Sequence, residues 1–257
     1  GYGNGDRYRA KGMANRFKDK MNLSINGTAN DNGINSNQRI GVNYSQNTQK
    51  LKYGGSIEIR ENQRDSWSKR HTESFLSDNT SQLSQQNNQS NGKTDAISGN
   101  FRFEWKIDSL TTIMYRPSVN FSKGNSNSGS FSETLNNELI PINQKEATNR
   151  QTNDRFSTNG SLQFNRKLNS KGRNIALRLY YNLDNGNSDR YSLANTYYLK
   201  YGDSIKVQNQ WIDNLNRNHE YRVQLTYMEP VFTNHFIEIN YSYQHRSSLS
   251  EKYAYDW

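Results

Sequence analysis

Four histidines, His71, His219, His235 and His245, are the side chains here that could ligate a metal or act as a general base. They are scattered, with no i, i+2 or i, i+4 pair to set two ligands on one face of a strand or helix. They read as surface or loop residues, and no metal site is expected. Cysteine is absent, which excludes disulfide scaffolds, cysteine zinc clusters and thiol catalysis. No Ser/His/Asp ordering or nucleophile elbow occurs, so no catalytic residue and no enzyme activity is expected. Gly1-x-Gly3-x-Gly5 looks like a phosphate loop only superficially, since no strand precedes it and no helix follows. No cofactor is expected. Asn-x-Ser/Thr triplets such as Asn22-Leu23-Ser24 follow from an Asn- and Ser-rich composition.

With active-site chemistry set aside, the information lies in how apolar residues are spaced. The chain has 257 residues, a net charge of +9 and only 31% hydrophobic residues, with a mean hydropathy of -1.12. So polar a chain buries too little apolar surface to offset chain entropy, and by itself this favours disorder. Two features oppose it. Aromatics make up 12% of residues, and apolar residues keep a period of two. Only 3 prolines occur, as suits long paired strands.

The period is plainest in Ile97, Gly99, Phe101, Phe103, Trp105 and Ile107, which alternate with Ser98, Asn100, Arg102, Glu104, Lys106 and Asp108. It recurs weakly in 7–17, then at Met21 to Ala29, Ile40 to Tyr44, Leu51 to Ile59, Ile113 to Phe121, Phe156 to Phe164, Ile175 to Leu183, Tyr221 to Tyr227 and Ile237 to Tyr243. About ten strands result, each near the length of roughly 9–11 residues that crosses a bilayer at a tilt. No apolar run approaches the roughly 20 residues of a membrane helix, and the first residues do not read as a signal peptide.

Short connections at 18–20, 47–50, 108–111, 169–173 and 229–234 alternate with longer polar ones at 30–37, 61–95, 123–155 and 184–220. Short turns on one side and long loops on the other mark an outer-membrane barrel. The expected fold is an all-β, antiparallel up-and-down transmembrane barrel section of about ten strands, with short periplasmic turns and long extracellular loops. The apolar face should look at lipid and the polar face into a wet lumen. In lipid every backbone N–H and C=O needs a partner, so the strands must belong to a closed barrel. By parity both chain ends lie on the long-loop side, whereas complete barrels keep both on the periplasmic side. Residues 1–257 are therefore expected to be one partial barrel domain, an interior section lacking plug and closing strands. Pro117 interrupts a strand and is expected at a bulge.

The stretch "FRFEWKIDSLTTIMYRPSVNFSKGNSNS" resembles a strand–turn–strand unit of the TonB-dependent-receptor-like outer-membrane β-barrel family. "RVQLTYMEPVFTNHFIEINYSY" is similar to a second unit, with a Tyr-x-Glu-Pro turn, and "GYGNGDRYRAKGMANRFKDKMNLSINGTANDNGIN" looks like the part where the barrel begins after the plug. The resemblance implies a barrel of roughly 22 strands filled by an N-terminal plug, in the outer membrane of a Gram-negative bacterium. It implies TonB-driven import of an unidentified solute, with TonB contacted through a plug region absent here.

Candidate lumen-facing residues are Arg102, Glu104, Lys106, Arg178, Arg222 and Glu238. They would touch solute or plug, or form a salt-bridged, solvated inner wall. Tyr197, Tyr198, Tyr201 and Trp211 are candidate ligand contacts in the last long loop, where they could stack on a sugar or peptide or anchor the membrane rim. The low-complexity stretch 77–95 reads as a flexible loop, and 136–142 as a loop apolar enough to pack or bind. Nucleic acid is not an expected partner, because Lys and Arg are dispersed and no recognition motif is present. Outer-membrane lipid and lipopolysaccharide suit the positive charge better. The alternatives are a non-transporting barrel for surface binding or assembly, and a soluble β-rich sugar-binding module.

Overall fold

The computed structural model describes residues 7–75, 81–200, 204–232 and 235–257. Ten strands follow one another: β1 (Tyr8–Lys18), β2 (Met21–Asp31), β3 (Asn35–Asn47), β4 (Leu51–Phe75), β5 (Ser81–Lys106), β6 (Thr111–Leu135), β7 (Pro141–Lys167), β8 (Asn174–Tyr198), β9 (Ser204–Phe232) and β10 (His235–Asp256). Each pairs antiparallel with its neighbours in sequence, and the sheet order runs from β1 to β10 without a crossover. The all-β, up-and-down, ten-stranded reading of the sequence holds. The sheet is open: among the described residues, β1 and β10 each have one neighbour.

Register turns the period of two into a surface, because residues paired across an antiparallel ladder share a face. One row reads Ala14, Ile25, Val42, Ile57, Gly99, Val119, Thr158, Leu183. A second reads Tyr53, Phe103, Tyr115, Leu162, Leu179, Val223, Tyr243. No second layer covers this face, since every strand touches only its sequence neighbours. The buried hydrophobic residues among those described are only Ala96, Leu135, Ala194 and Ile212, whereas Ile40 and Ile57 are 62% and 61% exposed. A soluble sheet would bury such a face against another element.

The strands are longer than the alternation implied. β4 has 25 residues and β9 has 29. The polar segments expected as loops are largely paired strand. β4 and β5 stay in register from Glu61↔Asp95 to Phe75↔Ser81, β6 and β7 from Lys123↔Asp154 to Thr134↔Asn143, with a shift before Leu135↔Pro141, and β8 and β9 from Asp184↔Asn218 to Tyr198↔Ser204. The low-complexity stretch thus lies in β5 from Ser81 onward, and its first residues, 77–80, fall outside the described residues. Alternation vanishes there because both faces are polar, but the ladder needs only backbone groups. Hydroxyl and amide side chains add cross-strand bonds, as between Ser66 and Ser90 (2.7 Å) and from Ser250 to Asn216 (2.7 Å). β10 likewise continues to Asp256 rather than ending near Gln244.

Two other connections differ from expectation. The segment 30–37 closes in a tight turn, where the Asn32 side-chain oxygen accepts from the Ile34 and Asn35 N–H groups at 3.0 and 2.6 Å and Gly33 takes a φ of 84°. The segment 136–142 is also a turn, not a packed loop. Asn136 accepts from the N–H groups of Glu138 and Ile140, and Leu139 and Ile140 stand exposed.

Pro117 causes a gap rather than a bulge. The β5–β6 pairing skips residues 101 and 102 opposite 116 and 117, then resumes at Phe103↔Tyr115 with the register unchanged. Both missing rungs depend on an N–H from residue 117 to the Phe101 carbonyl, and proline has none to give. No residue is inserted, so nothing bulges. On the other side Pro117 stays paired with Gly160. Pro117→Val should restore both rungs, protect the new amide at position 117 from hydrogen exchange, and raise equilibrium unfolding stability by about 1 kcal/mol.

Candidate functional site

Across the apolar band, the opposite face carries the charge. Lys52, Glu104, Met114, Gln163, Arg178 and Gln224 form one row across β4 to β9. Glu104 is nearly buried at 9% exposure, and its carboxylate takes Arg102 at 3.0 Å and Lys52 at 3.6 Å. Burying a carboxylate is costly unless it is paired, and two cations meet that need. Lys106 lies one alternation further along the same face, opposite Thr112. Arg178 sits three strands from Glu104 on the shared row, about 14 Å away at roughly 4.8 Å per strand. With the Gln163 amide oriented to accept, Arg178 donates to it from Nε and Nη2 at 2.7 and 3.0 Å.

Arg222 belongs to another group. It donates to Glu220 at 3.2 Å and to the Gln244 side-chain oxygen at 3.1 Å, while Gln244 donates to Glu220 at 3.0 Å. Glu238 accepts from Asn240 at 2.6 Å. The six candidates therefore share the polar face, but only Arg102 and Glu104 touch one another. Sequence reading missed Lys52, whose role needs the β4–β5 register. It also missed the Arg155–Asp184 fork across β7 and β8, at 2.8 and 2.6 Å. These groups hold opposite charges or amides in mutual contact, and they make a braced polar surface rather than a single pocket.

The aromatic candidates do not form one loop cluster. Tyr197 and Tyr198 end β8, opposite Ile205 and Ser204. Tyr201 lies outside the described residues. Trp211 lies inside β9, paired with Tyr191 on one side and Tyr255 on the other. Its ring stacks on Tyr255 at 5.3 Å and 24°. Tyr191 and Tyr255 escaped notice because they lie on different strands, far from Trp211 in sequence.

The turns show local electrostatics away from both faces. In the β5–β6 turn the Asp108 carboxylate accepts from the Leu110 and Thr111 N–H groups, each at 2.7 Å. The Leu110 N–H is the largest cause holding its carboxyl below the ordinary range, and the Thr111 donors add to it. Within the strands, on the face of the apolar rows and past Ile97, Lys93 of β5 pairs with Glu61 of β4 at 2.8 Å and lies 3.8 Å from Asp95. The bond to Glu61 leads in raising the Lys93 ammonium above its usual value.

No protein-family model matches the chain, and no curated protein matches it. Among solved structures, one described as the CymD monoaromatic hydrocarbon channel aligns with 100% of this chain and 84% of its own, at 9% identity and a TM-score of 0.25. Similarity that low carries no weight for ligand or mechanism, and the TonB-dependent resemblance has no match to rest on.

The Asp108 contact gives a pH dependence with a definite sign. A carboxyl whose folded pKa is lowered adds stability above its unfolded pKa, about 3.9, and loses it as pH falls through the lower folded value. Asp108→Ala should therefore lower hydrogen-exchange protection at Leu110 and Thr111 at neutral pH. The difference from wild type should shrink below about pH 4.

Proposed function

We propose that this chain is part of the wall of an outer-membrane β-barrel, with its apolar face against lipid and its polar face toward a water-filled passage. The observation that carries the reading is the uncovered apolar band. On β8 it runs from Ile175 to Leu183, and on β7 from Phe156 to Phe164. At about 3.3 Å per residue the band is roughly 30 Å of strand, or about 23 Å along the membrane normal at a tilt near 40°. The apolar belt of such barrels is about 25 Å tall. Hydrocarbon on one side and water on the other would suit both faces, and a soluble module would leave the band in contact with water.

In this reading the whole protein admits a solute, and the Arg102–Glu104–Lys52 and Arg222–Glu220 groups line the passage without any catalytic step. The TonB-dependent form of the proposal, in a Gram-negative outer membrane, rests on the sequence resemblance of 101–128 and 222–243. A non-transporting barrel that presents its long ribbons for surface binding is the second reading, favoured by the paired extensions of β4 to β9 far past the apolar band.

Leu179→Arg places a cation mid-band and should cost about 2–4 kcal/mol in equilibrium unfolding from vesicles. Asn182→Arg, on the polar face, should cost far less. Equal losses would remove the membrane assignment. Energised import would be lost from cells lacking TonB, whereas a surface-binding barrel would be unaffected.

A further inference from the structure

Beyond the apolar band, the same face carries a row of different character. Asn91, Asn127, Arg150, Tyr191, Trp211 and Tyr255 are register partners across β5 to β10. The row is about 24 Å long at roughly 4.8 Å per strand. Beside Tyr191 lies a groove of about 320 Å³ lined by Gln89, Asn91, Asn127, Gly129, Thr148 and Arg150, among others. The groove exists because Gly129 has no side chain, and a Cβ there would meet nothing within 4 Å. Trp67, on the rung of Gln89 and Gly129, is 66% exposed at its far side. Among the described residues Arg150 has no ion-pair partner, and the groove lining includes no carboxylate.

We infer that this row and groove bind a carbohydrate chain, that of lipopolysaccharide in the surrounding leaflet. The inference rests on the membrane-wall reading above. Flat aromatic faces, the stacked Trp211–Tyr255 pair and Tyr191, accept the C–H faces of sugar rings through dispersion contact. Asn91, Asn127 and Gln89 each offer a donor and an acceptor, matching the hydroxyls of a pyranose. Arg150 supplies a planar cation for an acidic substituent. Row length suits an oligosaccharide rather than a single ring.

Position selects the source. The row shares the parity of the lipid-facing side, so it lies outside the passage. Tyr191 stands eight residues past Leu183, about 26 Å of strand and roughly 20 Å above the hydrocarbon at a 40° tilt. The phospholipid interfacial layer is only about 5–8 Å thick per side. Rim anchoring of Trp211 would need it at the band's edge, and at this height sugar is the neighbour.

The test uses the whole barrel protein that contains this chain, inserted in phospholipid vesicles, with two probes: the water-soluble carbohydrate released from lipopolysaccharide by mild acid, and its lipid portion. The carbohydrate should bind, and Tyr191→Ala and Trp211→Ala should each weaken binding about tenfold or more. Trp211→Phe, which keeps a ring, should retain most of it. Gly129→Leu, whose Cβ would meet nothing within 4 Å, puts an isobutyl group into the groove and should also abolish binding. An inserted chain that binds no carbohydrate, binds only the lipid portion, or is insensitive to all these changes overturns the inference and leaves the wall reading intact. A whole barrel that fails to insert overturns both.

Discussion

The backbone ladder is satisfied sideways, and among the described residues no layer covers either face. Each interior strand spends its N–H and C=O groups on its two sequence neighbours. That arrangement fixes which side chains look which way for the whole length of the sheet. It also leaves the rows through Ile57 and Leu179 with nothing apolar to rest on. A single layer of this kind has no interior, so its stability depends on what lies against it. In the proposed membrane setting, hydrocarbon against the apolar rows would supply the missing layer and make each backbone hydrogen bond harder to break, because no water there would compete for it.

The opposite face then has a simple logic. Its charges are neutralised in place: Arg102 and Lys52 on Glu104, Arg155 on Asp184, Arg222 on Glu220. The more exposed of these pairs contribute roughly 0.2–1 kcal/mol each, too little to hold the sheet together. What they do is pair opposite charges locally while leaving polar atoms along the row for water. The dispersal of the clusters fits a wall more than a pocket that closes around one ligand.

The sequence discloses this structure unevenly, for a physical reason. Alternation is visible only where the two faces differ in polarity, as at Ile97 to Ile107 and Ile175 to Leu183. Strand number, direction and facing could be read there. Past the band both faces are polar, so 61–95 and 123–155 look like loops although the ladder runs through them. Register stays hidden as well. Glu104 and Arg102 are neighbours in sequence and were legible as a pair, whereas Lys52 joins them only through β4. The row through Tyr191, Trp211 and Tyr255 depends on two registers at once. Pro117 was legible as a disruption, but only the pairing shows that it deletes a bond without inserting a residue.

The chain has no cysteine, so single cysteines can be introduced one at a time from position 101 to 106 and the protein inserted into vesicles. A bulky water-soluble maleimide should label positions 102, 104 and 106 and leave 101, 103 and 105 unmodified until detergent is added. Labelling of 101, 103 and 105 in the intact bilayer, with the intervening positions protected, would contradict the orientation of the sheet and the membrane account built on it.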